Sequence, residues 1–137
     1  MADQAIVIVE PIMDSLFGVK FTTLGDAVGG NGFSFGQSPM QSNVRMWGWP
    51  SEPPYDGRFS YYCDNKTHSS GSHSAMNGCP VTQGASGGPW LIDRTGDDQG
   101  TIYAVLNKGY GGFMFAAPFG IPFFTIWMLA TFSQIHI

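Results

Sequence analysis

"CPVTQGASGGPWL", residues 79–91, sets Ser86 among three glycines and runs through Pro89 into an apolar stretch. A serine hydroxyl is a weak nucleophile at neutral pH. It needs a base to take its proton and donors to hold the oxyanion that forms on an attacked carbonyl. A sharply turned G-x-S-G-G-P loop can supply the donors, through the backbone N–H groups of Gly84 and Ser86. Gly84 permits the backbone angles such a turn requires, and Gly87 and Gly88 let a substrate backbone approach. At this chain's own Gly, Ser and Pro frequencies, the five fixed positions arise by chance in roughly two of a thousand such chains. A fortuitous turn is therefore the weaker reading. The G-x-S-x-G elbow between a strand and a helix also fits less well, because Pro89 and the residues after it continue as a strand.

The composition around this loop points to an all-β protein. Nineteen Gly and nine Pro in 137 residues imply many tight turns between short strands. Charged residues make up 12% of the chain and the net charge is −4, with no basic cluster. Nucleic acid is excluded as a partner on that ground. The length is that of one domain. Two cysteines, Cys63 and Cys79, fit a single disulfide and an exported protein, and "NKT" at 65–67 is a glycosylation sequon between them. The first residues, "MADQAIVIVEP", do not form a signal peptide: no basic stretch opens them and the apolar run is too short.

Along the chain, "QAIVIVEP" (4–11) reads as a buried strand stopped by a proline, and 21–37 as turns around short strands. Residues 42–57 give a strand and a Pro-rich turn, and 58–63 another strand. The polar, small residues 64–78 read as an exposed loop. Strands are expected over 86–93 and 101–109, on either side of an Asp/Gly turn. From Phe113 to Phe132 there are twenty residues without a charge, long enough to suggest a membrane span. Pro118, Gly120 and Pro122 interrupt its first half. The expectation is a buried strand over about 113–117, a turn, and a short apolar helix from about 122.

Taken together, "GASGGPWL", "VGGNGFSF", "MWGWPSEPPYDGRFSYYC", the Cys79 seven residues before Ser86, and "TIYAVLNKGYGG" resemble a chymotrypsin-like (trypsin-fold) serine protease. The resemblance is strongest to the secreted microbial branch related to glutamyl endopeptidases, and it covers most of the chain. It implies a six-stranded Greek-key antiparallel β-barrel with a short C-terminal helix, the second half of a two-barrel protease, in a single domain spanning 1–137. It implies Ser86 as nucleophile, Gly84 and Ser86 as oxyanion donors, and a Cys63–Cys79 disulfide. "DQAIVIV" matches the family's Asp-x-Ala-hydrophobic strand, so Asp3 matches the aspartate that orients the catalytic histidine.

That histidine lies upstream of the aspartate in the family, and only Met1 and Ala2 precede Asp3. The resemblance thus implies that the first barrel, and with it the base, is supplied from outside this chain. His68, His73 and His136 are expected to be loop or tail residues on the wrong side of the serine to replace it. Cys63, His68, His73 and Cys79 also have the residue types of a zinc site, but the resemblance pairs the cysteines, and neither metal nor cofactor is expected. The substrate pocket would be formed by Pro80, Val81, Leu106 and Asn107. Pro80 stands where trypsin-type enzymes carry an aspartate, which argues against a preference for basic residues.

The expected function is the C-terminal part of a secreted serine endopeptidase acting on peptides or proteins, inactive without its histidine. The alternatives are a non-catalytic interaction module on a protease-like barrel, or a membrane-associated protein held by residues 113–132.

Overall fold

The computed structural model describes residues 4–13, 21–81, 83–110 and 112–134. Its elements, in chain order, begin with β1 (Ile12–Met13), β2 (Phe21–Thr22), the short helix α1 (Leu24–Val28) and β3 (Gly32–Phe33). There follow β4 (Val44–Gly48), β5 (Tyr61–Asn65), β6 (His68–Ser70), β7 (His73–Asn77) and β8 (Pro89–Ile92). The chain closes with β9 (Thr101–Tyr110), β10 (Phe113–Pro118) and the helix α2 (Ile121–Gln134).

The main sheet runs β5-β4-β8-β9-β10-β7-β6, every neighbouring pair antiparallel, with β3 added in parallel to β9. β5 and β7 are separated in this order by four strands. Yet Cys63 on β5 is bonded to Cys79, two residues past the end of β7, with the Cα atoms 5.7 Å apart. The six strands from β5 to β7 must therefore curl until their ends meet. Asn65 reinforces the seam by donating from Nδ2 to the Asn77 carbonyl at 3.0 Å. The expected barrel is present as a curled antiparallel sheet. Among the described strands its ends are joined by a disulfide and side chains, not by a ladder.

The core fills the inside of the curl. Val44, Met46, Met76, Trp90, Tyr103 and Ala104 are fully buried there. Burial of this many large side chains, at about 1.5–3 kcal/mol each, is the main force holding the sheet in its curled form. Tyr103 brings a polar group inside, and its hydroxyl donates to Ser74 Oγ at 3.1 Å. Ser74 Oγ donates in turn to the Pro39 carbonyl. Burial pushes the Tyr103 phenol above its ordinary pKa, so it stays neutral.

Three local expectations are corrected. Residues 4–11 form no strand, and Val7 is 83% exposed. A β-branched run becomes a strand only where a sheet edge offers it hydrogen bonds; among the described residues no ladder pairs this run, and Gln4 Nε2 donates to the Ala117 carbonyl. Residues 64–78 are not an exposed loop: they complete β5 and form the hairpin β6–β7, whose Ser74, Ala75 and Met76 are buried. The sequon residue Thr67 is buried as well, donating to the Pro39 carbonyl and accepting from the Gln41 N–H. Finally, α1 appears among the glycines of 21–37, started by a capping box between Thr23 and Asp26.

The uncharged segment 113–132 divides as expected into a strand, a turn and a helix. α2 packs Phe123 and Trp127 against Phe33 and Phe35, and Phe123 stacks on Phe119 with centroids 3.8 Å apart. Among the described residues, no helix is long and apolar enough to cross a membrane.

Candidate active site

The loop between Cys79 and β8 is fixed from below and from one side. Below it lies β4. A side chain on Gly88 would run into the Trp47 carbonyl, and a Cβ on Gly48 would stand 2.5 Å from the Ala85 Cβ. Glycine at both positions lets the loop rest directly on the β4 backbone. At its side lies β9: the Gly87 N–H donates to the Leu106 carbonyl at 2.7 Å, and the Leu106 N–H to the Gly88 carbonyl at 2.9 Å. The Gly88 N–H closes the turn onto the Ala85 carbonyl at 3.1 Å. At the loop's far end, Ser51 packs against Gly84, and the Ser51 N–H donates to the Gln83 carbonyl at 2.7 Å. Gly84 has φ +97° and Gly87 φ +83°, both strained for any residue with a side chain.

The product of these constraints is an exposed Ser86 on a rigid turn. Its Oγ donates to the Asn107 carbonyl at 3.4 Å, at the limit of a hydrogen bond. Among the described residues no acceptor takes the Gly84 or Ser86 N–H. Beside the serine opens a cavity of about 550 Å³. Cys79, Val81, Leu106 and Met114, all buried, supply its apolar base, while Gln83, Gly84, Ser86 and Asn107 stand nearer its mouth.

Of the four residues expected to form a pocket, Val81, Leu106 and Asn107 line this cavity together with Ser86. Pro80 does not line it: the residue is exposed, and its carbonyl accepts from the Tyr55 hydroxyl at 2.7 Å. Met114 and Gly109 do line it and carried no signal in the sequence. They meet only because β10 pairs with β9 in the register that sets Met114 opposite Gly109. Asp3 and His136 lie outside the described residues.

The two remaining histidines stand away from the serine. β7 and β6, which carry His73 and His68, are two and three places from β9 in the strand order. His73 lines a different cavity, with Lys108 and Phe115, and His68 is exposed with its ring edge-on to Phe113. The zinc alternative fails on the cysteines, whose sulfurs are bonded to each other.

The dominant charge arrangement is structural and lies on β4 and β5. Arg45 grips Asp64 through Nε and Nη2 at 2.7 and 2.5 Å and reaches the Asp97 carbonyl through Nη1. Hydrogen bonding to Arg45 holds the Asp64 carboxyl below the usual carboxylate range, against the opposing effect of its partial burial.

No family model matches this chain, and neither does any curated protein. Two solved structures do. A thermostable serine protease, AL20, from an extremophilic microorganism superimposes with a TM-score of 0.70 and 24% identity, over 80% of this chain and 52% of its own. The protease Anisep from Arthrobacter nicotinovorans gives 0.68 and 23%, over 78% and 53%. The chain thus spans about half the length of the proteases it matches. The fold expected from the sequence is present: a curled antiparallel sheet with a short C-terminal helix, matching a chymotrypsin-like barrel.

Proposed function

We propose that this chain is the C-terminal part of a secreted serine endopeptidase, with Ser86 as nucleophile and a histidine brought by a first barrel outside this chain. The observation that carries the reading is an exposed Ser86 Oγ on a glycine turn stapled to β9, at the mouth of a 550 Å³ cavity. In the assembled enzyme the histidine takes the Oγ proton as Oγ bonds to the scissile carbonyl carbon. The negative charge moves to the carbonyl oxygen, where the N–H groups of Gly84 and Ser86 receive it. The C–N bond then breaks and the amine leaves with the proton, after which water releases the acyl group. Asp3 would orient the histidine. The Cys63–Cys79 disulfide fits an oxidising, extracellular setting.

The test is fluorophosphonate labelling with imidazole offered as a diffusible base. The chain alone should label slowly, imidazole should accelerate labelling, and Ser86→Ala should abolish it. Labelling that imidazole leaves unchanged and Ser86→Ala does not reduce would overturn the nucleophile assignment. Fast Ser86-dependent labelling without imidazole would place a base on this chain. The second reading, an interaction module, is favoured by the remoteness of His68 and His73 from Ser86. It predicts no Ser86-dependent labelling under any condition.

A further inference from the structure

We infer that the cavity beside Ser86 accepts an uncharged, aliphatic side chain, and that Met114, lying over Gly109, sets how deep that side chain can reach. The inference rests on the endopeptidase reading only for how a peptide is oriented in the cavity.

The cavity's base is made by Cys79, Val81, Leu106 and Met114, each less than a tenth exposed and none bearing a charge. The Cys79 sulfur is bonded to Cys63 and lies 3.2 Å from the Met76 sulfur, so it is closed to a ligand from behind. At that base a lysine, arginine or carboxylate would meet no oppositely charged side chain and would lose its water, which is prohibitive for a charge. The two charged residues of the wall do not alter this. Lys108 pairs across the strands with Phe115, and its Nζ lies 5.7 Å from that ring's centroid, towards the neighbouring 330 Å³ cavity that both residues line. Alternation along β10 puts Phe115 on the face opposite Met114. Glu52 is exposed on the wall and is not one of the four residues of the base.

Depth is set by one contact. Met114 is opposite Gly109 in the β10–β9 ladder. A Cβ on Gly109 would stand 3.0 Å from Met114 Sδ and 3.3 Å from its Cε. The thioether therefore occupies the space that the glycine leaves open, and covers the end of the cavity between the two strands. Shortening Met114 should lengthen the cavity. A methyl group on Gly109 should push the thioether into it. Only the flexible end of Met114 has to move for Gly109→Ala, and Gly109 is not in the left-handed region, so the fold tolerates the change.

The experiment titrates the full chain, by NMR, with N-acetyl tetrapeptides that end in Leu, Phe, Lys or Glu and carry a free C-terminal carboxylate. These mimic products and need no reactive serine. Leu-ended peptide should bind at least roughly tenfold more tightly than the Lys- and Glu-ended ones. Met114→Ala should shift the Leu-to-Phe ratio several-fold towards Phe, and Gly109→Ala should weaken both. The inference is overturned if the charged peptides bind as well as Leu, if no peptide binds, or if neither variant moves the Leu-to-Phe ratio or the affinities. Imidazole-assisted labelling of Ser86 on the same samples separates the two readings. Selective binding without labelling keeps the cavity assignment and removes the nucleophile, while labelling without selectivity does the reverse.

Discussion

Two adjacent glycines in the serine loop serve different physical purposes, and substitution should tell them apart. Gly88 is buried against β4, where any Cβ meets the Trp47 carbonyl and, at 3.0 Å, the Ala85 carbonyl oxygen. Both obstacles are backbone, so neither can yield cheaply. Gly88→Ala should cost at least about 2 kcal/mol and displace the loop. Gly87 faces open space and is needed only for its φ of +83°. Gly87→Ala should cost about 1–2 kcal/mol, the strain of holding alanine there. Urea melts of the two variants measure the difference, and equal costs would show that the loop does not rest on β4. The spacing of these glycines around Ser86 was legible in the sequence because the turn's requirements are local. The identity of Met114 as a cavity residue was not, because it depends on the register between two strands. Pro80 lies outside the lining of this cavity, and its carbonyl accepts from Tyr55, a partner 25 residues away in the chain.

At the level of elements, strands showed in the sequence where apolar residues dominate them, as in β8 and β9, and failed to show where burial depends on partners. The hairpin β6–β7 has mostly Ser, Ala and His, yet Ser74 is fully buried because Pro39 and Tyr103 satisfy its hydroxyl. Residues 4–11 failed in the other direction, with strand-forming side chains and no ladder. The pairing of β4 with β5 carries the clearest pH dependence. Asp64 has its pKa lowered in the folded state, chiefly by hydrogen bonding to Arg45. A depressed carboxylate contributes stability that is present above its unfolded value of about 4 and lost as pH falls through the folded value. Asp64→Asn should therefore lower stability at pH 7 by about 1–3 kcal/mol, nearer the low end because the Asp64 side chain is 35% exposed. The difference from the unmodified chain should shrink as pH is lowered from about 4 through the folded value of Asp64. Thermal melts across that range check it, and a constant difference would show that the charge on Asp64 is not what matters.

For the whole molecule, the outer surface of α2 is the feature a single curled sheet leaves unresolved. Among the described residues of this helix only Phe123 is buried, while Ile121 is 82% and Leu129 65% exposed. The helix carries no charged residue, unlike an ordinary surface helix with one apolar stripe and one polar face. Exposed apolar area of this kind drives association. Val7, Val9 and Val28 add further exposed apolar side chains elsewhere on the surface. With no other protein present, the available cover for α2 is the same surface on a second copy, since a self-complementary patch closes on itself in a symmetric pair. The purified chain should therefore associate with rising concentration, and Ile121→Asp with Leu129→Asp should move the equilibrium towards monomer at least roughly tenfold, two exposed apolar contacts being lost for charges. Sedimentation velocity over a hundredfold concentration range reads this directly. A chain that stays monomeric throughout would show that the exposed face is too small or too interrupted to hold a second copy. In the endopeptidase reading the same charges on α2 should leave imidazole-assisted labelling of Ser86 intact, because the serine loop is supported by β4 and β9, and neither strand depends on the outer face of the helix.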